Sequence, residues 1–443
     1  MKHLLFLCLF FTVLLAYPQA DPVAGRGCAT PVPDQTWDDW FNARVEEFLD
    51  KTPAAQRQMA NFSIPVIFHV IHGGEPLGVY PNLSTAQINS QISILNFDYS
   101  GFGLNSGNFS NTSFPPSLKA NTNINFCLAE KNPDGYVLFE RGVERIDYHD
   151  KNWANPNTFG SIAALKTFVD NTVKANTIWD PARYLNIWVT DVNSSVNLLG
   201  YATFPAGNGF PDNPPLPGLG TVNDDGVWCS AKAVGDIGVQ IPNYDKGRTA
   251  THEIGHYLGL RHIWGDSNCG QDYCADTPQQ QTSNNGCPSF PKVTCSNAPN
   301  GDLFMNFMDY SYDNCMYMFT NDQRTRMQTA LTNSPLRNQL TASSATLCGA
   351  VGLEERRASS LLGMELFPNP SNGRVSVTLS STASNGVKTR VYNVLGQPVY
   401  SHQSEPSAST AFEIDLGRQP AGIYFVEVSN GQDKLLKRLV LVH

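Results

Sequence analysis

The chain has 443 residues, 41% of them hydrophobic and 16% charged, with a formal net charge of −9. That length is too great for one core and predicts two or three domains. The acidic balance argues against a nucleic-acid binder, and the low charge with 16 tyrosines suits an exposed, secreted enzyme.

Residues 1–20 read as a signal peptide. Lys2 and His3 precede the apolar run Leu4 to Leu15, and Ala16 to Ala20 offers small residues for cleavage after Ala20. A buried N-terminal helix is the alternative. The run is too short to cross a bilayer and no other stretch holds eighteen apolar residues, so no transmembrane segment is expected. Export makes the ten cysteines readable. Cys8 leaves with the signal peptide, and an odd number remains, which predicts one thiol with a separate task. Cys28 is the candidate; a disulfide to a downstream cysteine is the alternative. The other eight could form up to four bridges.

Residues 21–58 are polar, with a helical stretch near Trp37–Leu49, and read as a propeptide. Asn61 to His72 is a β-branched strand that would open the mature enzyme, with His69 and His72 in core or surface roles. Ser84 caps a helix over Thr85 to Phe97. Ile124 to Ala129 alternates as a strand, Phe159 to Ala175 has helical spacing, and Tyr184 to Thr190 is a central strand. Leu198 to Phe204 is a further strand, placed at the sheet edge, where free N–H and C=O groups can pair with an extended peptide. Residues 205–220 are rich in Pro and Gly and read as a loop.

His252-Glu-Ile-Gly-His256-Tyr-Leu-Gly259-Leu-Arg-His262 packs three imidazoles and a carboxylate into eleven residues. On a helix His252 and His256 share one face, about 6 Å apart along the axis, and both can reach one ion. Glu253 is placed as a general base beside that ion. Gly259 permits a left-handed exit, and the turn can return His262 as a third ligand. Three protein ligands with one open position is the pattern of a catalytic zinc.

This is the extended zinc signature of the metzincin metalloproteases, and the downstream Asn306-Phe-Met308-Asp-Tyr310 resembles their methionine turn. The stretch Asn306 to Thr320, with Gln323 to Met327 after it, is similar to the pappalysin branch, and the resemblance covers about residues 60–345. It implies an α+β fold: a metzincin catalytic domain with a twisted mixed sheet, an active-site helix and a zinc cleft. Met308 would be the floor beneath the metal and Tyr310 the tyrosine near it. Gly200, Tyr201, Ala202 and Thr203 would hold substrate along the edge strand. Cys28 would be a cysteine switch, occupying the fourth zinc position in the latent form, although Ala29 stands where a glycine is often found.

The family also implies cysteine pairings in the irregular segment 263–305, namely Cys287 to Cys315 and Cys295 to either Cys269 or Cys274. It implies calcium nearby, for which Asp266, Asp272, Asp276 and Thr277 are candidates; solvated surface carboxylates are the alternative. An aspartate at the position of Asp313 lies, in the family, in the pocket just after the scissile bond and selects basic residues. Cleavage before Arg, and less well before Lys, is therefore expected. A plain turn aspartate is the alternative. Self-cleavage before a basic residue such as Arg57 would release the propeptide.

After Cys348 the composition changes. Residues 349–364 read as a linker after a catalytic domain at 59–348. Residues 365–443 hold short alternating runs at Arg374 to Leu379, Thr389 to Tyr392 and Gly422 to Val428, which suggests a small all-β sandwich. Phe367-Pro-Asn-Pro370, Val391-Tyr-Asn-Val-Leu-Gly396 and Pro420-Ala-Gly-Ile-Tyr424 resemble the C-terminal sorting domain of the Bacteroidetes type IX secretion system. A carbohydrate-binding or adhesive module is the alternative. The expected protein is a secreted, monomeric zinc endopeptidase made as a latent zymogen. A zinc-bearing adhesin and a zinc hydrolase of non-peptide bonds are the other classes.

Overall fold

The computed structural model describes residues 26–206, 219–348, 364–379, 388–393, 398–403, 411–429 and 434–442. The expected signal peptide at 1–20, nearly all of the linker at 349–364 and most of the loop at 205–220 lie outside the described residues. Two compact units divide at Gly349 and Ala350.

In the first unit, helix α1 (Gln35–Lys51) is capped by Asp34, whose side chain accepts from the Trp37 N–H. Strands β1 (Phe62–His72), β2 (Ile124–Leu128), β3 (Val143–Asp147), β4 (Leu185–Thr190), β5 (Gly200–Ala202) and β6 (Val227–Ser230) form one sheet. Its order is β2-β1-β4-β6-β5, with β3 also on β1. Every pairing is parallel except β5 with β6. β1 is buried along nearly its whole length because both sheet faces are covered. Ile64, Val66, Phe68 and Val70 of β1 face the core shared with the helix Arg248–Tyr257. Ile71 of β1 and Trp188 of β4 face the opposite layer, with Leu165, Val169 and Val173. His69 is a core residue, bonded to Glu144 and Asn186.

Strands β3 and β6 were not anticipated; four or five residues are too few for alternation to stand out, and their pairing partners are what make them strands. The helix expected over Phe159 to Ala175 begins at Ile162 and passes into a π-helical turn at Val169–Lys174. The irregular segment 263–305 is stapled by Cys269–Cys295 and Cys287–Cys315, with Cα separations of 5.8 and 5.6 Å. A third bridge, Cys127–Cys348, ties the end of the unit to β2. The cysteines thus make three bridges among the described residues, not four: Cys229 is buried in the main core and Cys274 is buried beside Asp272, both as free thiols.

The second unit contains β7 (Met364–Phe367), β8 (Arg374–Leu379), β9 (Lys388–Asn393), β10 (Pro398–Gln403), β11 (Ala411–Asp415), β12 (Gly422–Ser429) and β13 (Lys434–Leu441). They form two antiparallel sheets, β10-β9-β12-β13 and β11-β8-β7. Val375, Val377 and Ile414 from one sheet share a core with Val391, Val426 and Leu439 from the other, a small β-sandwich. The three expected runs are β8, β9 and β12; Gly396 lies outside the described residues.

Candidate metal centre and active site

The helix Arg248–Tyr257 is held at both ends by buried ion pairs. At its start, Arg248 is paired with Asp98 at 3.1 Å, and Thr251 Oγ1 donates to Asp98 at 2.9 Å. At its end, Arg337 Nε donates to the Tyr257 carbonyl at 2.6 Å and pairs with Asp225, setting a cation on the helix C-terminus. Gly259, at φ +89°, reverses the chain as expected.

Three histidines converge within this frame. His252 Nδ1 lies 2.7 Å from the Phe307 carbonyl, His256 Nδ1 lies 2.7 Å from the Leu260 carbonyl, and His262 Nδ1 bonds Asp266. Each ring therefore spends its Nδ1 proton on an oxygen and turns a bare Nε2 inward. The Nε2 of His256 is 3.2 Å from that of His252 and 3.1 Å from that of His262. Burial, then the neighbouring imidazoles, push His252 and His256 well below the ordinary histidine range. Three lone pairs facing one another in a buried space repel unless a cation lies between them. Cys28 Sγ joins them: the four ligand atoms lie within 4.8 Å of one another. Glu253 stands beside this group, with Oε2 accepting from Thr30 Oγ1 at 2.8 Å and Oε1 buried without a partner. Burial raises its pKa to about 7. The donor set and the orphaned carboxylate oxygen fit a tetrahedral zinc ion held by His252, His256, His262 and the Cys28 sulfur.

Met308 is fully buried beneath the helix. Its sulfur sits so close to Gly255 that an added Cβ there would lie 2.4 Å away. The turn is fixed from behind: the Asp309 carboxylate accepts from the Asn284 N–H, the Asn284 and Gln280 side chains and the Tyr310 N–H. The Tyr310 hydroxyl lies 3.2 Å from His262 Nε2.

The edge strand carries residues 27–30. Gly27 accepts from the Leu199 N–H at 2.7 Å, the Ala29 N–H donates to the Gly200 carbonyl at 3.1 Å, and Cys28 pairs with Gly200 in the parallel sense. The Ala202 N–H donates to Thr30 Oγ1 at 2.8 Å. Gly200 passes directly over Glu253, since a Cβ on it would meet Glu253 Cγ at 2.6 Å. Gly200 and Ala202 thus present the free edge. Tyr201 and Thr203 do not: Tyr201 is buried against Trp228 and bonds Asp170, while Thr203 gives its N–H and hydroxyl to Gly226 and Asp225. In a strand alternate residues face opposite ways, so only half of the expected stretch is available.

Asp313 is buried in an ion pair with Arg26 at 2.5 Å, both side chains fully inaccessible. Its other oxygen accepts from the Lys246 and Arg248 N–H groups at the start of the helix. The expected calcium residues do not gather. Asp272 and Thr277 meet at 2.8 Å, whereas Asp276 lies against Asp322 at the start of the helix Asn321–Asn333. Asp266 belongs to His262 and Arg261 instead. Arg26, Thr30 and Asp98 were missed, since their partners lie 150 or more residues away.

The family model described as "Pregnancy-associated plasma protein-A" matches residues 168–332, and that of the "Secretion system C-terminal sorting domain" matches residues 365–442. An extracellular metalloprotease of Arthroderma benhamiae is 40% identical over 324 residues, 72% of this chain and 95% of that protein. One of Neurospora crassa is 30% identical over 271 residues, covering 60% and 74%. Among solved structures, a promirolysin mutant of Tannerella forsythia aligns with a TM-score of 0.58 and 34% identity over 73% of this chain and all of that one. Mature mirolysin with a cleaved peptide aligns at 0.53 and 37%, covering 66% and 99%. No helix among the described residues is long and apolar enough to cross a membrane. The chain belongs to the pappalysin family of metzincin zinc metalloendopeptidases, carries a type IX sorting domain, and is a secreted or cell-surface protein.

Proposed function

We propose that the chain is exported as a latent zymogen and, once residues 21–58 are released, cleaves peptide bonds just before Arg and, less well, Lys. The observation that supports this reading is Arg26 buried on Asp313 while Cys28, two residues on, stands among the three histidines. One short segment fills both the basic-residue pocket and the metal position. It offers a sulfur there where a substrate would offer a scissile carbonyl. Residues 54–56 are exposed, and Arg57 lies five residues before β1, which suits release by cleavage at Arg57. Residues 1–20 would leave as the signal peptide and residues 365–443 at the outer membrane.

His252, His256 and His262 would hold a zinc ion, which when bound would supply Lewis-acid polarisation of the scissile carbonyl and acidify water. Glu253 takes the proton from the attacking water and passes it to the leaving amine, its Oε1 being free of any protein partner. Tyr310 is within reach of the centre to donate to the developing oxyanion. Gly200 and Ala202 hold the extended peptide once residues 27–30 depart. A calcium ion at Asp272 and Thr277 would neutralise a carboxylate that burial otherwise pushes up to about 7. The test is a peptide-library digest by the released enzyme with sequencing of its new N-terminus. Arg or Lys after every cut bond supports the reading, and cuts scattered over neutral residues contradict it.

A further inference from the structure

Two more buried cations draw their partners from the prosegment. Arg261 gives Nε and Nη2 to the two oxygens of Asp38 at 2.8 and 2.6 Å, and Nη2 also to the Pro33 carbonyl at 2.6 Å. Arg326 is 1% exposed. Its Nη1 donates to Asn42 Oδ1 at 2.6 Å, while its Nε and Nη2 are buried without a hydrogen-bond partner. Both guanidinium groups lie about the Tyr273 ring, at 6.0 and 5.7 Å, and the Tyr273 hydroxyl donates to Asp38 at 3.2 Å. An apolar cradle adjoins them, in which Trp37 and Phe41 of α1 pack on Phe204, Leu219 and Ala330. Phe204 lies 5.5 Å from the His256 ring, and Gly259 runs so close under Phe41 that a Cβ would come within 2.5 Å of it. Helix α1 is therefore seated next to the three histidines.

Asp38, Pro33, Asn42 and Phe41 all leave with residues 21–58. Left behind are two guanidinium groups and a phenol beside Phe204, Leu219 and Ala330; Arg261 keeps only Asp266, at 3.4 Å, and loses its two-pronged pairing, while Arg326 loses its bond to Asn42. A planar guanidinium matches a carboxylate in a two-pronged pairing, the one that Asp38 makes with Arg261 here. We propose that in the released enzyme Arg261, Arg326 and Tyr273 form a subsite for a substrate carboxylate, an Asp or Glu side chain beside a bulky aromatic ring, taking the places of Asp38 and Phe41. This rests on the reading of residues 21–58 as a releasable prosegment of a peptidase. Substrates are then chosen by two charges of opposite sign, a basic residue at Asp313 and an acidic one upstream of the cut.

The test uses enzyme activated from the full chain and quenched fluorogenic peptides sharing an aromatic residue before the cut and Arg just after it. Asp and Asn are compared at each of the upstream positions. At one position Asp should exceed Asn by about tenfold in kcat/KM, the size of a charge-assisted hydrogen-bond gain. In Arg261→Gln and Arg326→Gln that Asp-to-Asn ratio should fall to near one, each variant serving as its own control. A wild-type ratio of one at every position overturns the subsite, because Arg261 has then closed onto Asp266 and left nothing to recognise. That comparison needs no variant to fold. No turnover of any Arg peptide, Asp or Asn, would instead sink the peptidase reading beneath it.

Discussion

Truncating Arg26 to alanine in the intact precursor removes one half of a pair whose two side chains are fully buried. Breaking such a pair from one side costs about 3–5 kcal/mol. Asp313 keeps the Lys246 and Arg248 N–H groups at 2.9 and 3.3 Å, so its charge is not abandoned and the lower end applies. About 3 kcal/mol off the closed state raises the open fraction about a hundredfold. The assay is the initial rate of Arg-peptide cleavage by uncleaved precursor, with chain length checked by mass spectrometry at each time point. Arg26→Ala should start about a hundredfold faster than wild type, and Arg26→Lys should lie between them because it keeps the charge and loses the planar fork. If Arg26→Ala is as silent as wild type while Cys28→Ala is active, the thiol alone holds the enzyme latent and Asp313 is not the basic-residue pocket.

Glu253→Gln should keep its metal and lose at least about a hundredfold in kcat/KM on casein or an Arg peptide, since the proton acceptor is gone. Gly255→Ala places a Cβ 2.4 Å from the Met308 sulfur. It should cost about 1–3 kcal/mol in thermal or denaturant unfolding and loosen the metal, read by chelator competition. Burial lifts Asp272 to about 7, so without a cation the folded protein holds that proton and this group's stabilisation is lost as pH rises through about 4 to 7. Calcium must displace the same proton. Its thermal stabilisation should therefore be large at pH 8 and small at pH 5.5, and equal shifts at both would remove calcium from Asp272.

The convergence of His252, His256 and His262 was legible because its geometry is local: two histidines on one helical face and a glycine that turns the chain back. The disulfides Cys287–Cys315 and Cys269–Cys295 were legible only through family habit, and the latter was left open to Cys274. What holds the site together was not legible. Arg26 reaches Asp313 across 287 residues, Arg248 reaches Asp98 across 150, and Arg337 closes the helix from 80 residues away. No periodicity encodes such pairings; they follow from which buried charges the sheet brings together. Asp266 looked like a calcium ligand beside other acids, yet the turn after Gly259 sets it on His262. Alternation along β5 was visible in Gly-Tyr-Ala-Thr, but its facing was not, and that decided which residues present the edge.

The most direct test is the zinc content of the purified full chain, measured by elemental analysis beside His262→Ala. One zinc per wild-type chain and a large loss from the variant are the expected results. A folded wild-type protein without zinc, or a variant that keeps its full share, would contradict the zinc site.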